Sequence, residues 1–282
     1  MFKFLLAGAL LALSSLSWPA MSVQSTHALV VDDETGQVLL DKNSGEAAPI
    51  ASVTKLLTVM VVLDANQNPD EVLRIERADV DSRERIRTCL PVGSALPRQT
   101  MVQLALMASD NHAAAALARN YPEGMAAFDE AMKRKIAELE LRSTTIEEPT
   151  GLSPRNQASA EDLVRILKAA AAYPQIAEYS TQTEHSVEVK GRLRSFHNTN
   201  RLVGLPGWDI LLSKTGTTAA AGRCLVMRLQ SAGRTVVVVL MGAVAKGGRA
   251  LDALNVQRWL AGGEPVEKLT RVSHRARPRP RT

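Results

Sequence analysis

Strand-like segments stand near both ends of this chain and helix-like segments fill its middle, an order that restricts the possible folds more than any single motif does. Residues 27–32 and 37–41 are short β-like runs around Asp33-Glu34-Thr35-Gly36, a hairpin turn signal. Residues 208–213, 223–229 and 235–241 are three more, joined by turns rich in Gly and Ala. Between the two sets, residues 101–107, 113–117 and 125–139 carry helical patterns, as does the run from the Ser159-Ala160-Glu161-Asp162 capping box to residue 172, and a last helix spans about 250–260. Such a chain closes most simply as an α/β (α+β) fold: one antiparallel sheet built from both ends and flanked by helices, with an all-helical lobe of about 100–180 inserted. A site would form in the cleft between sheet and lobe.

The stretch Ala51-Ser52-Val53-Thr54-Lys55 sits where that cleft would open. Ala48-Pro49-Ile50 reads as a loop-like approach, and the eight residues from Leu56 to Leu63 are apolar on all sides, or nearly so, as in a buried central helix. A helix beginning at or just before Ser52 puts Ser52 and Lys55, three residues apart, on one face. It also places the serine in the positive field of a helix N-terminus, which favours an alkoxide. On its own the S-x-x-K pattern is common and is satisfied by an N-cap followed by a surface lysine. Residues 66–98, with Pro69, Pro91, Gly93 and Pro97, read as a loop-rich excursion.

With 282 residues, 45% hydrophobic and 22% charged, the chain suits one large or two small globular domains. Residues 1–22 are set apart: a short basic start, an apolar core of residues 5–16, and small residues at Ala20 and Ser22, the pattern of a secretory signal peptide and hence of a periplasmic protein. The apolar run falls short of the roughly 20 residues that a membrane span needs, and no later stretch reaches that length, so no anchor is expected after cleavage. Cys89 and Cys224 fit an exported protein either as one disulfide or as two buried thiols, and nothing in their spacing demands a bridge.

The net charge of +5 belongs to one end of the chain. Lys268, Arg271, Arg275, Arg277, Arg279 and Arg281 put +6 into the last fifteen residues, which leaves residues 1–267 at −1. Residues 263–282 therefore read as a basic disordered tail that an anionic envelope surface would attract, and residues 23–262 as the folded domain. An exported protein gives that tail no nucleic acid to bind. Metal-ligand spacing and Gly-rich phosphate loops are both missing from the sequence, so no metal and no cofactor are expected.

Three marks fall in order: Ser52-Val53-Thr54-Lys55, then Ser109-Asp110-Asn111 at a polar break between two apolar helices, then Lys214-Thr215-Gly216 at the end of a strand. Together they form the S-x-x-K, S-D-N, K-T-G set of penicillin-binding proteins and class A β-lactamases. The chain resembles the serine D,D-peptidases of the penicillin-binding protein superfamily, most like the low-molecular-mass D-alanyl-D-alanine endopeptidases. The likeness runs over roughly 27–262 and includes Glu148-Pro149-Thr150-Gly151-Leu152, His197-Asn198-Thr199-Asn200-Arg201 and Trp208-Asp209-Ile210. It implies peptidoglycan cross-links as substrate and β-lactams as covalent inhibitors.

A serine hydroxyl needs an adjacent base, and a lysine serves only if burial or a second cation lowers its pKa, so Lys214 is the candidate second cation. In the mechanism this suggests, Lys55 takes the proton of Ser52, Ser52 attacks the D-alanyl carbonyl, and Ser109 relays the proton to the leaving amine. Asn111 would hold the substrate amide, and Lys214 with Thr215 the carboxylate beside the scissile bond. The resemblance further implies an oxyanion hole from the backbone N–H groups of Ser52 and Thr217, with Gly216 leaving room for the substrate along the strand. Asp110 and the lone His197 read as structural.

Four functions compete: endopeptidase, D-alanyl carboxypeptidase, β-lactamase and a catalytically silent penicillin-binding sensor. A β-lactamase needs a water-positioning glutamate, for which Glu147 and Glu148 are the candidates; both read better as a turn leading into the next helix. Carboxypeptidase relatives typically add a C-terminal β-rich domain and an amphipathic helix, whereas about twenty residues follow the last helix here. The silent sensor sits badly with an intact second lysine.

Overall fold

The computed structural model describes residues 21–81 and 90–266; residues 1–20 of the expected leader, Cys89 and most of the expected basic tail lie outside the described residues. Strands β1 (His27–Asp32) and β2 (Val38–Lys42) form the expected hairpin. A two-residue strand β3 (Ala48–Pro49) leads into a 3₁₀ turn, Ala51–Thr54, which runs directly into helix α1 (Lys55–Asp64). Strands β4 (Val72–Arg74) and β5 (Ala95–Pro97) pair across the excursion read as loop-rich. Then come helices α2 (Arg98–Met107), α3 (Asn111–Arg119) and α4 (Met125–Glu138), strand β6 (Gln157–Ala158), and helices α5 (Ala160–Ala170) and α6 (Pro174–Thr181). The chain continues with β7 (Glu184–Val189), β8 (Arg192–His197), β9 (Asp209–Thr218), β10 (Gly222–Ser231), β11 (Arg234–Ala243) and α7 (Gly248–Leu260).

Five strands make one antiparallel sheet in the order β2-β1-β11-β10-β9, so the two ends of the chain meet where β1 pairs with β11, Ala28 opposite Leu240 and Val30 opposite Val238. Successive side chains of a strand point to opposite faces. Leu29, Val31, Val237, Val239 and Met241 face the core shared with α1–α6, while Ala28, Val30, Val236, Val238 and Leu240 face a second core with Val256 and Trp259 of α7. A sheet covered on both faces explains why β11 reads as unbroken Val-Val-Val-Val-Leu-Met and not as an alternation. The α7 cover is also tied to residues just before β1. The buried Asp252 carboxylate accepts from Gln24 N (2.8 Å), Ser25 N (2.7 Å) and Ser25 Oγ (2.7 Å).

The helical middle is not one separate lobe. α5 lies on the sheet against β1, β10 and β11. Beside it, Lys168 and Arg228 both reach Asp33, with Arg228 Nε donating to Oδ2 at 2.6 Å. The reason lies in its sequence: Leu163, Val164, Ile166, Leu167 and Ala170 form a wide apolar stripe, which a sheet face covers more fully than one neighbouring helix can. α1 runs through the middle of the helical side, buried from Lys55 to Val62.

The segment between α6 and β9, to which the sequence pattern assigns no element, contains the hairpin β7–β8. Its turn residues Lys190 (φ 51°) and Gly191 (φ 73°) both take positive φ, the geometry of a tight two-residue turn. Only Val187, Val189 and Phe196 of the two strands are buried, which left little apolar alternation to read.

Candidate active site

Ser52 belongs to the 3₁₀ turn, and Lys55 is the first residue of α1, so the helix expected at or just before Ser52 begins as a tighter coil. The turn is shaped from both sides by glycines. Ala51 takes φ 48°, a left-handed conformation that costs a residue with a Cβ about 1–2 kcal/mol. A Cβ on Gly151 would stand 2.1 Å from the Ala51 carbonyl oxygen, and one on Gly216 would stand 2.7 Å from the Ile50 carbonyl oxygen and 3.1 Å from Ser52 N. Gly216 was expected to clear space for a substrate; in this structure its missing side chain accommodates the turn that carries Ser52.

Lys55 is fully buried, and its Nζ donates to Ser52 Oγ (3.1 Å), Asn111 Oδ1 (2.6 Å) and the Thr150 carbonyl (2.6 Å). The Thr150 carbonyl is held in place by Glu148. That carboxylate accepts from the backbone N–H groups of Thr150 (2.7 Å), Gly151 (2.7 Å) and Ser153 (3.1 Å), and from Thr150 Oγ1 (2.5 Å). Asn156, also fully buried, links the same turn to the serine turn: its Oδ1 accepts from Glu147 N (2.9 Å), its Nδ2 donates to Thr54 Oγ1 (3.1 Å), and its carbonyl accepts from Ile50 N (3.0 Å). Glu147 is engaged by Arg155 and by Ser153 Oγ. Both glutamates are thus occupied in forming the turn.

Ser109 sits between α2 and α3 at φ 59°. Sparsely populated conformations of this kind persist where the surroundings enforce them. Asp110 does the enforcing: it caps α3 through Ala113 N (2.8 Å) and accepts from Leu90 N (2.8 Å), while burial pushes its carboxyl above the usual range. The structural reading of Asp110 agrees with these bonds.

On the opposite wall, Lys214 is 1% exposed and its Nζ donates to Ser109 Oγ (2.8 Å) and the Thr215 carbonyl (3.1 Å). Burial, then the Lys55 and Arg249 charges, hold the Lys214 amine well below the usual lysine range. Thr215 Oγ1 donates to Thr199 Oγ1 (2.7 Å), and Thr199 N donates to the Met107 carbonyl (3.1 Å), joining β9 to the end of α2.

β9 is the edge of the sheet. α6 covers the first half of that edge, where Ser213 N donates to Ser180 Oγ (3.2 Å), but Thr215, Gly216, Thr217 and Thr218 line an open cleft of ≈ 480 Å³ together with Ser52, Ser109 and Asn111. An open strand edge is a template for an extended peptide. The cleft therefore gathers Ser52, Lys55, Ser109, Asn111, Lys214, Thr215, Gly216 and Thr217, the last with its side chain exposed.

Peptidase S11, the D-alanyl-D-alanine carboxypeptidase family, matches residues 14–245. The chain belongs to this family. Among relatives of the S11 peptidases, the chain is 43% identical over 242 residues to the D-alanyl-D-alanine endopeptidase of Pseudomonas aeruginosa, covering 85% of this chain and 78% of that one. It is 38% identical over 244 residues to the D-alanyl-D-alanine endopeptidase of Escherichia coli, covering 86% and 79%. The fold is also that of a mutant of the Streptomyces K15 DD-transpeptidase, with a TM-score of 0.79, 22% identity, and coverage of 86% of this chain and all of that one.

Within this S11 site, sequence reasoning missed Arg249, whose Nη1 donates to the Gly216 carbonyl (2.9 Å), Thr217 Oγ1 (3.1 Å) and the Cys224 carbonyl (3.0 Å). It sits in α7, beyond the last motif, and nothing local marks it. Glu148 and Asn156 were likewise invisible as supports. His197 lies on the cleft rim, 69% exposed, facing Glu184 at 3.5 Å. Cys224 is a buried thiol raised by its burial, and Cys89 lies outside the described residues.

Proposed function

We propose that the chain is a serine D-alanyl-D-alanine endopeptidase that opens peptidoglycan cross-links through an acyl-enzyme on Ser52. The observation that carries this reading is the pair of contacts from Lys55 Nζ to Ser52 Oγ and from Lys214 Nζ to Ser109 Oγ across one cleft. The two relatives named endopeptidase support the choice of cross-link over free terminus.

The chemistry follows from donor counting. A neutral lysine amine has two N–H groups and one lone pair. In that neutral form the bond to Ser52 runs the other way: the Asn111 and Thr150 oxygens, both at 2.6 Å, keep the two N–H groups, and the lone pair faces the Ser52 hydroxyl. Lys55 then accepts the Ser52 proton as the Oγ–C bond forms to the D-alanyl carbonyl carbon. The developing oxyanion meets the backbone N–H groups of Ser52 and Thr217. Ser109, beside Lys214, relays the proton that Lys55 took from Ser52 to the departing nitrogen as the C–N bond breaks, which returns Lys55 to its neutral form, and water later hydrolyses the ester. Lys214, Thr215 and Arg249 present the cationic and hydroxyl groups that a carboxylate next to that nitrogen requires.

With both Glu148 oxygens taken by the turn that it forms, no carboxylate is free there to activate water, which supports slow deacylation and long-lived β-lactam adducts. The leader pattern supports export to the periplasm, and no helix among the described residues is long and apolar enough to cross a membrane. The family's own description keeps carboxypeptidase as the second reading. Digestion of purified peptidoglycan separates the two: dimeric muropeptides falling to monomers support the endopeptidase, and pentapeptides shortening to tetrapeptides with dimers intact overturn it.

A further inference from the structure

One charged side chain of the cleft has no part in the chemistry described above. Lys55, Lys214 and Arg249 each donate to oxygens of the protein. Arg201 lines the same cleft, is exposed, and makes no hydrogen bond or ion pair among the described residues. None of the described residues that line the cleft is an Asp or a Glu, so nothing there balances its charge. The rim acid Glu184 faces His197 at 3.5 Å.

An unpaired arginine on an open surface is ordinary, and it is the mounting that sets Arg201 apart. Asn198 Nδ2 donates to the Ser180 (2.9 Å) and Gln182 (2.7 Å) carbonyls, and its Oδ1 accepts from Asn200 N (2.8 Å). Asn200, 4% exposed, accepts from Leu202 N at Oδ1 (3.1 Å) and from Val203 N at its carbonyl (3.2 Å). The backbone on both sides of Arg201 is therefore fixed, while its guanidinium stays free to meet an anion. A planar donor fork on a fixed stem loses less freedom on binding than one on a loose loop.

The same turn sets the side of the cleft. Thr199 is bonded to Thr215 Oγ1 (2.7 Å) and to the Met107 carbonyl (3.1 Å), just before Ser109. Residues two apart have Cα atoms within about 7 Å, so Arg201 stands on the wall of Ser109 and Thr215, which faces the departing nitrogen. Charge counting then separates the substrates. Lys214, Thr215 and Arg249 suffice for the one carboxylate beside that nitrogen, which a departing D-alanine also carries. The stem released from a cross-link continues as a peptide with a carboxyl terminus of its own, and the surplus cation matches this second carboxylate.

We propose that Arg201 is a specificity-determining residue that binds the terminal carboxylate of the departing stem and so favours a cross-link over a free D-alanyl terminus. The role holds only if the cleft is that of a peptidase, and binding measured without turnover keeps the two apart. Ser52→Ala, which leaves substrates uncut, is titrated by calorimetry with two cross-linked muropeptide dimers. In one the departing stem ends in a free carboxylate; in the other that terminus alone is amidated.

At low ionic strength the free acid is expected to bind about fivefold tighter, a preference that salt reduces. With Arg201→Gln added the two dimers should bind alike, because both changes remove one contact, and Arg201→Lys should keep part of the preference. Equal affinity of acid and amide for Ser52→Ala, or a preference that survives Arg201→Gln, would overturn the proposal. In the active enzyme Arg201→Gln should raise KM for the free-acid dimer about fivefold and lower the dimer-to-pentapeptide ratio of kcat/KM by the same factor. Equal losses on both substrates would reduce Arg201 to a support of the wall. Should Arg201→Gln fail to fold by circular dichroism, the acid and amide affinities of Ser52→Ala still decide. A parent enzyme that trims pentapeptides and leaves dimers intact overturns the endopeptidase, while the dimer affinities of Ser52→Ala judge Arg201 on their own.

Discussion

The two ends of the α1–α2 pair differ in how completely their polar groups are satisfied. At the cleft end, Lys55 has three oxygen partners, Lys214 two, and Asp110 two backbone donors. At the far end, Arg98 and Gln67 keep three buried atoms without a partner. Reactive groups held in place need no reorganisation when charge develops. The cleft end therefore holds its polar groups ready and in place, whereas the far end leaves three of its own unmet.

The strongest test of that contrast is Lys55→Ala. Removing the base should slow acylation by penicillin about 10²–10⁴-fold, read by labelling rate, with the fold retained by circular dichroism. Labelling at the parent rate would remove the cleft end from the chemistry. Gly151→Ala comes next. A Cβ would stand 2.1 Å from the Ala51 carbonyl oxygen, on a backbone at φ 88°, so a loss of about 2–4 kcal/mol in denaturant unfolding is expected, with acylation slowed alongside.

Glu148→Gln keeps the shape but removes the charge that three backbone N–H groups share. It should cost about 1–3 kcal/mol and lower kcat more than it raises KM, because Thr150 loses its hold on Lys55 and not on substrate. An unchanged kcat would make Glu148 a support of the fold alone.

The smallest effect concerns Lys214, whose amine lies well below the usual lysine range because burial opposes its charge. Between that lowered value and the unfolded lysine value the unfolded chain binds the extra proton, so this group's destabilisation eases as pH rises toward about 10.4. Lys214→Met should abolish turnover and yet raise Tm at neutral pH by about 2–4 °C, a difference that shrinks in alkaline buffer. A variant less stable than the parent at every pH would show that the lysine is a net support of the cleft.

The sheet and the three marks were legible because each leaves a local trace: apolar runs for β9 to β11, and short patterns at Ser52, Ser109 and Lys214. What escaped reading acts across distance. Glu148 and Asn156 matter through backbone groups that only the fold brings near, and Arg249 reaches the cleft from α7. The hairpin β7–β8 escaped because most of its side chains face solvent, and its signal was the Lys190-Gly191 turn. α5 was placed in the lobe because sequence shows that a helix has an apolar stripe but not which surface covers it.

The bonds that Asp252 accepts from Gln24 and Ser25 make α7 dependent on two residues that precede the first strand. Asp252 is 1% exposed, and the backbone N–H groups and hydroxyl that meet its carboxylate all come from these two residues. Deleting residues 24 and 25 would strip those partners and strand a negative charge beneath α7, a defect of about 3–5 kcal/mol when a buried charge loses its partner. The short segment before β1 thus serves as the anchor of α7, and a chain lacking residues 24 and 25 is expected to lose that helix from the sheet before the strands themselves separate.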